Sequence, residues 1–107
     1  MGMEAAIERV AFRRVGQQEK TPQQVWDLVA PPDHGGHAFA RAEIWEGESQ
    51  WGVRLHDRAP EMSAAQLLRV ASRLLVWGIG CPADTVEVVL ARDHSRHLLI
   101  RTGADYV

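Results

Sequence analysis

Ala38-Phe39-Ala40-Arg41-Ala42-Glu43-Ile44-Trp45-Glu46-Gly47-Glu48-Ser49-Gln50-Trp51-Gly52-Val53-Arg54-Leu55-His56-Asp57 is the stretch on which the fold turns. Its side chains alternate with period two, and the alternation is broken once, at Glu46-Gly47-Glu48-Ser49. That pattern requires a β-hairpin with Gly47-Glu48 at its tip. If Ile44 faces Trp51, then Ala42 faces Val53 and Ala40 faces Leu55, which makes one face of the hairpin apolar on both strands. The other face then pairs Trp45 with Gln50, Glu43 with Gly52, Arg41 with Arg54 and Phe39 with His56. A slip of one residue would mix the two faces, so the parity is strongly specified.

Downstream, Ser63 to Val76 reads as the main helix, with Ser63 as its N-cap and Met62 or Glu61 as alternative starts. On a wheel Ala64, Ala65, Leu68, Ala71, Ser72, Leu75 and Val76 centre the apolar side, flanked by Leu67, Leu74 and Gly78, while Gln66, Arg69 and Arg73 mark the opposite one. Trp77 falls on the polar stripe, and Gly78-Ile79-Gly80-Cys81-Pro82 ends the helix. Val86, Val88 and Leu90, a turn at Arg92-Asp93-His94-Ser95-Arg96, and the alternation through Leu98 to Arg101 give a second hairpin.

Upstream, Thr21-Pro22-Gln23-Gln24 combines a capping hydroxyl, a first-turn proline and a capping-box glutamine. It predicts a short helix carrying Val25, Trp26, Leu28 and Val29 that stops before Pro31. Pro31 to His37, with its two prolines and two glycines, reads as a loop. The first twenty residues fit either period, and a strand ending at Val15 is the favoured reading. The expected fold is therefore α+β: an antiparallel sheet of four to five strands built from two hairpins, with one long and one short helix packed on it. A single domain is expected to span residues 1–107.

Composition narrows the function classes. The 107 residues are 46% hydrophobic and 24% charged, values of a globular chain. No apolar run approaches the length of a membrane span, and Met1 to Val10 lacks the pattern of a signal peptide, so a cytoplasmic protein without a membrane partner is expected. Fourteen acidic against twelve basic residues, with no basic block, argue against nucleic acid. One cysteine, Cys81, excludes an internal disulfide and cysteine-rich zinc sites, and its place after a helix C-terminus disfavours a thiolate. No nucleotide-binding glycine motif and no GxSxG elbow occur. No cofactor is expected.

Two groups of residues remain. His34, His37 and His56, with Asp33 or Asp57, would meet at one sheet end and could offer imidazole and carboxylate ligands to a divalent metal. Phe39, Arg41, Trp45 and Arg54 share the hairpin face turned from the core, joined by Trp77 if the helix reaches it, and this composition resembles a protein interface. The leading expectation is a non-enzymatic protein-binding module, an adaptor, inhibitor or assembly factor that also self-associates as a homodimer. The alternative is a small enzyme or metal-binding protein using the three histidines. The order helix, hairpin, helix, hairpin loosely resembles the fold of the pterin carbinolamine dehydratases. Their paired histidine–proline signature is absent, and topology alone transfers no residue role.

Overall fold

The computed structural model describes residues 3–17 and 22–107. Seven strands occur in chain order: β1 (Ala11–Gln17), β2 (Gln24–Val29), β3 (Ala38–Trp45), β4 (Gln50–Asp57), β5 (Thr85–Leu90), β6 (Ser95–Thr102) and β7 (Asp105–Tyr106). Between β4 and β5 lies α1, regular over Ala64–Arg73 and continued as a wider, π-type turn over Leu74–Ile79. The strands pair in sequence order into one curled sheet, a half-barrel. Every neighbouring pair is antiparallel except β4 and β5, which run parallel because α1 carries the chain back between them.

This corrects the expectation of a four- to five-stranded antiparallel sheet with two helices. The segment expected to form the short helix is β2 from Gln24 to Val29; the capping residue Thr21 lies outside the described residues. The reason is local. Val25, Trp26 and Val29 are β-branched or aromatic, a helix confined between Pro22 and Pro31 is too short to be stable alone, and β1 and β3 supply a ladder on both sides. With that helix gone, the element order resembling the dehydratase fold is gone too. The N-terminal strand starts at Ala11 and runs past Val15 to Gln17, behind a 3₁₀ helix over Met3–Arg9. Pro31 to His37 is a loop as expected, tightened by a 3₁₀ turn at Pro32–His34.

The first hairpin forms two residues out of the expected register. Ile44 faces Val53, Ala42 faces Leu55 and Ala40 faces Asp57. A shift of two keeps the parity, so Ala40, Ala42, Ile44, Trp51, Val53 and Leu55 still share the buried face. On the same face stand Leu28 of β2, Val86, Val88 and Leu90 of β5, and Leu99 of β6. Onto this face α1 packs Leu67, Val70, Ala71, Leu74 and Leu75, and the buried side chains form one cluster. The wheel is therefore turned from its expected phase: Ala65 is exposed and Leu68 only half-buried.

Ser63 caps α1 through a reciprocal capping box with Gln66. Gly80, at φ 65°, closes its far end with an N–H to the Leu75 carbonyl. At Gly78 a side chain would meet Leu74 Cδ1 at 2.8 Å and Phe12 of β1 at 3.4 Å, so α1 lies close against the first strand there and a larger residue would have to displace the Leu74 side chain. Among the described residues no helix is long and apolar enough to cross a membrane.

Candidate functional site

The face of the sheet turned from α1 carries no covering layer among the described residues. Its side chains line up in rows across the strands. One row runs Asp27, Arg41, His56 over β2, β3 and β4. The next runs Glu43, Arg54, Val89, Arg96 over β3 to β6, and a third runs Trp45, Gly52, Glu87, Leu98.

The first row is an ion-pair network. Asp27, with 8% of its side chain exposed, receives Arg41 Nε on one oxygen and an Arg13 guanidinium nitrogen on the other, each at 2.9 Å. The hydrogen bond from Arg41, helped by Arg13, holds the Asp27 carboxyl below the usual carboxylate range against the opposing effect of burial. A depression of about 320 Å³ lies here, lined by Asp27, Arg41, His56, Asp57 and Arg58. Its carboxylates are already engaged. Asp57 is held by Arg92 through Nε and NH2, and that hydrogen bonding lowers its carboxyl as well. His56 Nε2 bonds Glu43 at 2.7 Å. Such a row is complementary within itself and offers no unpaired base or nucleophile.

The third row behaves differently. Gly52 places no side chain between Trp45 and Glu87, and the gap deepens into a depression of about 260 Å³ lined by Trp45, Gly52, Val53, Arg54, Glu87, Val89 and Arg96. Among the described residues Arg54, Arg96 and Glu87 take part in no salt bridge. Leu98 and Ile100, on the same face of β6, are 55% and 50% exposed. An indole wall, a bare backbone floor, two guanidinium groups and an apolar rim can receive an apolar side chain together with a carboxylate.

The residues singled out in the sequence are distributed as follows. Trp45 and Arg54 are half-buried at the depression and Arg41 is exposed one row away. Phe39, expected to face outward, is instead 3% exposed in the core. Register shifts between Leu28 and Val29 because β3 carries one extra residue there, so Phe39 and Ala40 both turn inward. Trp77 is 72% exposed, but it belongs to the helical layer on the far side of the sheet and does not join Trp45. The three histidines do not form a ligand set. His34 lies 4.0 Å from Asp33, His37 packs beside Gly35 and His56 is bonded to Glu43; among the described residues no three His, Cys, Asp or Glu side chains gather as a metal site.

Gly52, Glu87, Val89, Arg96, Leu98 and Ile100 were not singled out from the sequence. The signal was present in the alternation of the second hairpin, but its face could be assigned only once β5 was known to lie parallel beside β4. No protein-family model matches the chain, and neither the curated proteins nor the solved structures contain a match to it.

Proposed function

We propose that this chain is a small, non-enzymatic protein-binding module that engages a protein surface, including a second copy of itself, through the uncovered sheet face around Trp45. The supporting observation is the depression over Gly52, where an aromatic wall and two guanidinium groups, which form no salt bridge among the described residues, stand beside exposed Leu98 and Ile100. Monomers seldom retain such an apolar surface without use. Aromatic and arginine side chains are also the residues whose truncation costs most at interfaces. The module acts by occupancy, as an adaptor, inhibitor or assembly factor does.

Sedimentation velocity over a concentration series tests this reading. The wild-type chain is expected to associate, and Trp45→Ala to weaken association by about 2 kcal/mol, roughly thirtyfold, with little change in the unfolding midpoint. Gly52→Val provides a second readout by filling the depression, since its added Cβ would meet Trp45 Cβ at an ordinary 3.8 Å. It should weaken association while leaving stability unchanged or raised. A wild-type chain that stays monomeric at every concentration, with Trp45→Ala lowering the unfolding midpoint, would make Trp45 a structural residue and remove the basis of the reading.

A further inference from the structure

Among the described residues the sheet is not closed, and its last full strand, β6, is paired along only half of its outer edge. β7 pairs with Arg101 and Thr102, and Val107 exchanges both backbone hydrogen bonds with Ile100. Ile100 thus turns its backbone groups away from β5. By the period of two, Leu98 and Arg96 turn theirs the same way, and no strand lies beside them among the described residues. Four backbone donors and acceptors therefore continue the track that β7 begins.

Beside this track runs a depression of about 480 Å³, lined by Ala65, Leu68 and Ser72 of α1, Leu99 of β6, and Tyr106 and Val107, with Asp105 and the ion-paired Glu8, Arg69 and Arg73 as its charged side. Ser72 Oγ bonds the Tyr106 carbonyl at 2.9 Å, so α1 already holds β7 against β6 at one end. At the other end the apolar flank of α1, Ala65 and Leu68, has no strand beside it among the described residues. These are two of the positions whose spacing in the sequence marks them for burial. The unfilled edge and the unfilled flank face the same gap.

We propose that this gap is a β-strand addition site for an extended segment of another protein, running antiparallel to β6 in line with β7. The register specifies its chemistry. Side chains opposite Leu99 and His97 point toward α1 and are apolar. The one opposite Leu98 lies on the outer face and is apolar, and the one opposite Arg96 is acidic, because Arg96 joins no salt bridge among the described residues. A second copy of the chain is a poorer occupant. Its own β6 would set His97 against His97 with an Arg96 on each side, and its β1 edge would bring Arg13 and Arg14 toward Arg96. The site shares Arg96 and Leu98 with the Trp45 face but rests on the backbone edge of β6, to which Trp45 itself contributes nothing.

The probe is a blocked six-residue peptide with valine at the positions meeting Leu99, Leu98 and His97 and glutamate at the position meeting Arg96. It is titrated against the whole isotope-labelled chain by NMR. Binding is expected to slow solvent exchange of the Leu98 and Arg96 amides. N-methylation of the peptide residue facing Leu98 should weaken binding about tenfold, while N-methylation of the residue facing Leu99, whose N–H points away, should not. Arg96→Glu should reverse the preference, favouring a lysine-bearing peptide over the glutamate one. Trp45→Ala should leave peptide affinity unchanged. The proposal fails if the peptide does not bind, or if the Leu98 and Arg96 amides exchange as before at saturation. It also fails if both N-methyl peptides bind alike, if Trp45→Ala abolishes binding, or if those amides are already protected in a dimer of the chain alone.

Discussion

Asp27 and Asp57 are two nearly buried carboxylates of this sheet, Asp27 bracketed by the guanidinium groups of Arg13 and Arg41 and Asp57 held, among the described residues, by that of Arg92 alone. Arg92 reaches past Asp57 to the carbonyl oxygens of Ala59 and Met62, so a single side chain ties the end of β4 to the segment entering α1. Lysine cannot reproduce that fork. The hydrogen bond from Arg41, followed by that from Arg13, lowers the folded-state pKa of Asp27 below its unfolded value. Its contribution to stability is therefore complete above the unfolded value of about 3.9 and is lost as the pH falls through the folded one. Asp27→Asn should be less stable than wild type by about 1–3 kcal/mol at pH 7, and the difference should close in acid. Urea unfolding of both chains at pH 7 and near pH 3 checks this; a difference that stays constant would mean that the ion pair contributes nothing and only packing was altered. Arg41 and Trp45 could be placed on the outer face from spacing alone, because parity survives a register error of two. Phe39 could not, since a single extra residue in β3 reverses its direction and leaves no mark in the alternation.

Among the elements, α1 was the most legible and was still misphased. Ser63 and Gln66 mark its start through a capping box that is visible in the sequence, and Gly80 marks its end. The wheel spread its apolar residues over a wide arc, however, and only the sheet decides which part of that arc is covered. Leu75 is fully buried while Leu68 lies at the margin. Leu75→Ala should thus cost about 2–5 kcal/mol and Leu68→Ala distinctly less, read from urea midpoints. Equal losses would mean that Leu68 is as well packed as Leu75 and that the flank beside β6 is not open. The missed element was β2. Its capping signature is a local preference, and local preference gives way when two neighbouring strands each offer a ladder.

At the scale of the molecule, the two hairpins and the long helix were readable because each is local. The strand pairing of β4 with β5 was not, because it joins segments separated by a whole helix and depends on where that helix lies. The sheet's strand order nevertheless follows the chain, and this has a consequence during synthesis. As the chain leaves the ribosome, β1 to β4 can pair one after another, and their apolar face with Leu28, Ile44, Val53 and Leu55 is then complete but bare. Apart from Ile7 and Val10 of the N-terminal segment, its cover arrives with α1, which ends at Ile79. At about 5–20 residues per second the interval from Asp57 to Ile79 lasts roughly one to four seconds. Nascent chains arrested with Asp57 just emerged should therefore bind a hydrophobic dye or a holdase chaperone, and chains arrested after Ile79 has emerged should largely lose that binding. The parallel junction that shapes the finished sheet thus also times its most vulnerable moment, a brief window in which half a sheet waits for its lining.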